Sequence, residues 1–308
     1  MDNIQREDIE SIARQTSLSE ETLTRALNER VYPDANSWKK FLTLLFLVLG
    51  IGFSLAGIIF FFAYNWADLH KFAKIGIVEL LVIALTALTF LSKINTQSQQ
   101  IILTGSAVLV GVLFAVFGQI YQTGANAYDF FLGWTVFVTL WVCFSNFAPM
   151  WLLYMILLNT TLILYCQQVT GWPSLLMYGI LYLGNGAVFV LAKMRQAPAY
   201  FIHTVGLAAL TFATIGMING IVSFEKEYFS VFAPLVILTY LAALWHGVQT
   251  KSTFYLSAVP FSLIIIISTF LLDISNDEWM LLLIGVFIII SVTLVVRNLI
   301  QLAKKQSS

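Results

Sequence analysis

Apolar and polar positions along this chain alternate on the length scale of a bilayer. From Phe41 onward there are ten apolar stretches, at about 41–63, 75–91, 101–120, 130–147, 149–166, 175–192, 199–221, 229–246, 253–272 and 279–296, divided by short polar or helix-breaking segments. Each is near the roughly 20 residues a helix needs to cross the hydrocarbon core, and only a helix satisfies its own backbone there without a closed sheet. The pattern predicts an all-α, polytopic transmembrane helix bundle of about ten spans over 41–296. The fourth and fifth stretches are parted only by Asn146 to Pro149, which reads as a tight helical hairpin, with one long re-entrant feature as the alternative.

Residues 1–40 follow a different pattern. Ile4, Ile9 and Ile12 recur at helical spacing, Ser17 and Glu20 suit a capping box, and Leu23, Leu27 and Val31 follow before Tyr32-Pro33-Asp34 interrupts. This predicts a short N-terminal amphipathic helical hairpin, lying on the membrane or filling a groove on a partner. The first apolar run, about 23 residues, exceeds the apolar region of a cleavable signal peptide, so it is expected to remain in the mature chain. Residues 297–308 read as a basic tail.

Basic residues set the expected orientation, because Lys and Arg near span ends stay in the cytoplasm. With the N-terminus inside, 13 of the 16 Lys and Arg fall inside and three, Lys71, Lys74 and Lys226, fall outside. Both termini and the basic tail are therefore expected to be cytoplasmic, and the loops after spans one, three, five, seven and nine to face outward.

Composition narrows the function classes. The chain is 59% hydrophobic and 10% charged, with a mean hydropathy of +0.86, outside the range of soluble domains. Its formal net charge is zero, so no overall field points to nucleic acid. Cys143 and Cys166 lie inside apolar runs, where a thiol behaves as a small hydrophobe, and neither suggests a disulfide. There is no phosphate-cradling glycine loop, no HExxH, no GxSxG and no Cys/His set with ligand spacing. The expectation is a non-enzyme with no catalytic residue, cofactor or metal.

Two polar clusters stand out against this background: FAYNWADLHKFAK over 62–74 and FGQIYQTGANAYDFFLGW over 117–134. Both are expected on the outer side. The candidate ligand-binding residues are Asn65, Trp66, Lys71, Lys74, Glu79, Gln119, Tyr121, Gln122, Asn126, Tyr128 and Asp129. Amides and aromatics there suit an outward pocket, with the two lysines as a rim for an anionic group. The competing structural roles are interhelical amide bonds and an aromatic belt. Glu79, about one turn inside the second span, costs about 2 to 3 kcal/mol there unless protonated, paired or hydrated. It is read either as a proton- or cation-linked carboxylate or as an ion pair with Lys74 or Lys71. Asn159 and Asn219 read as interhelical bonds, and Gly184-Asn185-Gly186 as a helix break or a close-packing site. His70 and His203 read as ordinary satisfied side chains.

The residues Asn65, Trp66 and Lys74, then Gly118, Gln119, Tyr121, Gln122, Tyr128, Asp129 and Trp134, resemble the signature stretches of an uncharacterised bacterial family of multi-span membrane proteins, domain of unknown function 2157. The resemblance covers roughly residues 1–147. In that family an acidic residue tends to follow the Trp directly, whereas here Ala67 precedes Asp68. The resemblance implies a multi-pass protein of the bacterial inner membrane and brings no activity. The leading expectation is a protein that binds or transports a small solute or lipid headgroup through an outward-facing polar pocket. The alternative is a scaffold or accessory subunit docking a periplasmic or membrane partner. A third reading assembles an intramembrane enzyme from Asp68, His70, Glu79 and Asp129.

Overall fold

The structure, a computed structural model, describes residues 35–64, 69–91, 94–121, 126–223, 228–275 and 277–306, with Thr22 ahead of them. The expected helical hairpin before Ala35 lies outside the described residues. Among them the apolar stretches form helices and no strand: α1 Ala35–Tyr64, α2 Lys71–Leu88, α3 Thr96–Tyr121, α4 Ala127–Phe144 and α5 Ala148–Tyr165, which ends in a π turn over Cys166–Thr170. Then follow α6 Ser174–Met194, α7 Ala199–Val222, α8 Phe229–Thr250, α9 Thr253–Ile274 and α10 Glu278–Gln306. Nine of the ten are long and apolar enough to cross a membrane. The exception is α2, whose 18 residues include Lys71, Lys74 and Glu79.

Helix ends differ from the apolar boundaries where nothing in the sequence stops the helix. After Pro33-Asp34 no breaker precedes the first span, so α1 takes in Asn36 to Lys40 and reaches 30 residues. Similarly α10 runs on through Arg297 and Lys304, so most of the basic tail is helical. Pro149 opens α5 in its first turn, where a missing N–H costs nothing, and this separates α5 from α4 as the predicted tight hairpin. Gly184 and Gly186 leave α6 unbroken.

The chain divides into two compact units, one ending at Phe117 and one running from Gly118 to Gln306. In the first unit α1 and α3 are parallel. Asn36, Lys39, Lys40 and Thr43 of α1 gather with Asn95 and Gln97 at the start of α3, and a Cβ on Gly105 would come within 2.8 Å of Ile51 Cγ2. Two parallel helices require a return pass, and α2 supplies it, antiparallel to α3. Gln99 Nε2 donates to the Leu91 carbonyl at 3.2 Å, while Ser106 Oγ donates to the Val82 carbonyl at 3.2 Å and meets Thr86 Oγ1 at 2.8 Å. Despite its three charges, α2 packs lengthwise along α3.

The second unit is a series of antiparallel hairpins. Thr135–Thr161 and Thr139–Tyr154 bonds zip α4 to α5. Ala192 of α6 packs with Phe201 and Val205 of α7 at one end, and Leu175 joins Met217 in the core at the other. That core, with Tyr182, Ala213, Phe232, Val236 and Val259, is crossed by a hydroxyl network: Ser262 Oγ lies 2.6 Å from both Tyr240 Oη and Thr214 Oγ1. In lipid such bonds hold helices that have no hydrophobic drive to associate. The hairpins give the unit two poles. One carries Asn126, Asp129, Gln168 and Trp172; the other carries Lys193, Arg195, His203, His246 and Lys251.

Candidate functional site

The candidate residues of the first cluster sit in the unit ending at Phe117. Asn65 and Trp66 lie outside the described residues, as does Asp68. His70 is the N-cap of α2, its Nδ1 accepting the Phe72 N–H at 3.4 Å, which fits the reading of a satisfied side chain. Lys71 is exposed, its ammonium 5.3 Å from the centre of the Phe72 ring. Lys74 is buried. Glu79 is exposed on another face of α2 and has no hydrogen bond or ion pair with a described residue, so the expected pair with Lys74 or Lys71 is not formed.

The second cluster belongs to the other unit. Gln119 and Tyr121 are exposed in the last turn of α3, and Gln122 lies outside the described residues. Asn126 and Asp129 join at the start of α4: the Asp129 carboxylate accepts the Asn126 backbone N–H at 3.0 Å, completing a capping box. The Asn-x-x-Asp spacing that signals this cap was in the sequence. Tyr128 is held from a third direction, its backbone N–H donating to Gln168 Oε1 on the π turn of α5 at 2.9 Å, with its ring 5.1 Å from that of Tyr165.

Tyr128 also stands at the rim of a cavity of about 660 Å³ among α4, α5 and α6, walled by Thr135, Thr139, Tyr154, Asn159, Thr161 and Asn185 together with largely apolar side chains. The hydrogen bonds assign most of its polar atoms. Thr139 Oγ1 gives its proton to the Thr135 carbonyl at 2.8 Å, so the Tyr154 hydroxyl, 2.9 Å away, is the donor to Thr139. Likewise Thr135 donates to the Phe131 carbonyl at 2.7 Å and receives Thr161 at 3.0 Å. Asn159 and Asn185 form a reciprocal amide pair at 3.1 and 2.8 Å, and Asn185 uses its second N–H on the Leu181 carbonyl at 2.8 Å.

Capacity is left over in that wall: the second N–H of Asn159, and acceptor lone pairs on the Tyr154 and Thr161 oxygens. A neutral donor and neutral acceptors thus belong to the lining of a space large enough for a small molecule. The interhelical bond expected of Asn159 is present, and Asn219, read the same way, makes no side-chain hydrogen bond with a described residue. Gly184 and Gly186 serve neither as a break nor as a contact, since an added Cβ would meet nothing within 4 Å; instead Gly184 helps open this cavity. Thr139, Tyr154 and Gln168 carry no sequence signal, because a Thr or Tyr in a span usually bonds within its own helix or a neighbour. His203, at the start of α7, stacks on Phe254 with ring centres 4.5 Å apart.

These helices and this composition define a multi-span α-helical membrane protein. Residues 3–151, just under half of the chain, match a family model described as predicted membrane protein (DUF2157), as the two polar clusters indicated. No curated protein and no solved structure gives a significant match. The matched segment takes in α1 to α4 and ends at the start of α5, so it contributes Tyr128, Thr135 and Thr139 to the cavity.

Proposed function

We propose that the protein binds a small neutral polar solute, or the neutral part of a lipid headgroup, in the cavity among α4, α5 and α6, and that this binding serves uptake or export rather than a reaction. The spare Asn159 N–H and the unused acceptor oxygens of Tyr154 and Thr161 in this wall carry the reading, because a ligand bearing hydroxyl or amide groups finds both kinds of partner there. The setting supports it. Tyr128 and the rim lie at the pole opposite Lys193, Arg195 and Lys251, which is the outer pole if basic ends stay in the cytoplasm, and a bacterial inner membrane is the location that fits. Lys71 and Lys74 were expected as a rim for an anionic group; the neutral chemistry of this cavity does not use them.

The test is thermal unfolding of the purified full-length protein with a panel of monosaccharides, polyols and small amides. A true ligand at about 100 times its Kd adds about 2.7 kcal/mol of stability and raises the Tm by several degrees. Asn159→Leu removes the shift while leaving the ligand-free protein folded. No shift with any compound, or the same shift in Asn159→Leu, contradicts the reading.

A second reading is favoured by Gln119, exposed at the end of α3 without a hydrogen bond to a described residue. It makes that end a docking point for a membrane or periplasmic partner. It requires that one specific protein co-purify with the wild type and be lost when Gln119 or Tyr121 becomes Ala.

A further inference from the structure

A second cavity, of about 750 Å³, lies wholly outside the first. It is a groove between α6 and α8 with α7 as its floor, lined by small and apolar residues such as Ala187, Val190, Ala209 and Ala243. Two bridges mark its ends. Tyr182 Oη bonds Thr239 Oγ1 at one; at the other Lys193 Nζ donates to His246 Nε2 at 2.7 Å. The eleven residues from Tyr182 to Lys193 give it a length of about 16 Å, close to half of a hydrocarbon core about 30 Å thick. Its length therefore matches the depth of one leaflet.

The chemistry of the two ends differs. Along the groove the wall is hydrocarbon, and exposed Leu183 and Val190 border it toward the lipid. At the Lys193 end every partner of the ammonium among the described residues is neutral: His246, the Tyr255 hydroxyl at 3.5 Å, and the Tyr255 ring with its centre 5.6 Å away. Because His246 accepts at Nε2, its proton sits on Nδ1 and remains available to donate. Arg195 and Lys251 lie at the same pole, and the sequence has no Asp or Glu from 130 to 224 or from 228 to 272. None of the four helices around the groove thus brings a carboxylate to neutralise this end. A cation held by neutral acceptors at the mouth of a leaflet-deep apolar slot is complementary to one kind of molecule.

We propose that this groove is a binding site for an anionic phospholipid, its phosphate on Lys193 and the His246 Nδ1–H and one acyl chain lying between α6 and α8. Basic pockets between transmembrane helices on the cytoplasmic side recognise such headgroups by the same electrostatics. The test uses the full-length protein, delipidated in neutral detergent, with phosphatidylglycerol and phosphatidylcholine of identical acyl chains and with inorganic phosphate as probes. Bound lipid is counted by native mass spectrometry. The wild type retains phosphatidylglycerol over phosphatidylcholine by about fivefold or more, the factor for one basic side chain near an anionic headgroup, and inorganic phosphate alone does not displace it. Lys193→Ala removes the preference and Lys193→Arg keeps it; Ala187→Phe, which fills the groove from an exposed position, lowers binding of both lipids. Equal retention of the two lipids by the wild type overturns the proposal, as does a preference that survives Lys193→Ala or lipid binding untouched by Ala187→Phe. Displacement by inorganic phosphate also overturns it, by showing a headgroup site without a chain. Should Lys193→Ala fail to fold, His246→Leu takes its place and must weaken the preference. Lys193, His246 and Ala187 line no part of the α4–α6 cavity, so neutral-solute binding there stands or falls separately.

Discussion

Asn185 is the most completely buried polar side chain on the cavity wall, 1% exposed, with all its amide hydrogens committed. Replacing it by Ala strands Asn159 in an apolar wall, and each interhelical bond of this kind contributes about 0.6 to 2 kcal/mol in lipid. Asn185→Ala is expected to lower stability by about 1 to 2 kcal/mol in a detergent-unfolding titration, whereas an unchanged midpoint would remove the amide pair from the account. Glu79 predicts the opposite sign. An exposed, unpartnered carboxylate about 12 Å along α2 from its first residue is costly in hydrocarbon, so Glu79→Leu should raise the unfolding midpoint, by up to about 2 to 3 kcal/mol. A fall instead would mean that the carboxylate has a stabilising partner. At this scale the sequence was informative in an uneven way. It singled out Tyr128 as a candidate, which lines the cavity, and Asn159 as an interhelical bond, which it makes; Asn126 and Asp129 form a helix cap. Tyr154 and Thr139 were invisible, because their role depends on which hydroxyl donates to which carbonyl across two helices.

Among the helices, α2 shows why composition alone misjudges an element. Its charges exclude it from the apolar set, yet parallel α1 and α3 demand that it cross. The ten apolar stretches were legible because each is a continuous run of bilayer length, while the ends of α1 and α10 were not, since polar residues without Gly or Pro simply extend the helix. Helix contacts in the second unit rest on glycines in specific places. A Cβ on Gly216 would lie 2.6 Å from Phe232 Cζ and 3.2 Å from Tyr178 Cβ, whereas one on Gly184 would meet nothing. Gly216→Ala is therefore expected to cost about 1 to 3 kcal/mol by overpacking α6, α7 and α8, and Gly184→Ala to leave stability unchanged. Equal effects of the two in a thermal-unfolding comparison would contradict the close packing at Gly216.

For the whole molecule, the number of crossings decides which pole faces which compartment. Within the second unit, Lys193, Arg195 and Lys251 stand at one pole and Tyr128 with the cavity rim at the other. Whether α2 crosses therefore decides which way the positive-inside bias orients the chain. The sequence carried the positive-inside bias over the whole chain, but the antiparallel pairing of α2 with α3 rests on Ser106, Thr86 and Gln99, whose partners no periodicity announces. The most direct measurement is labelling of single cysteines in intact cells with a membrane-impermeant maleimide, in a background carrying Cys143→Ala and Cys166→Ala. Leu69→Cys, just before α2, is predicted to label from outside, while Ile94→Cys, just after it, and Gln196→Cys, between α6 and α7, label only once the membrane is permeabilised. Labelling of Leu69→Cys and Ile94→Cys from the same side would contradict the ten-span architecture and, with it, the outward opening of the cavity.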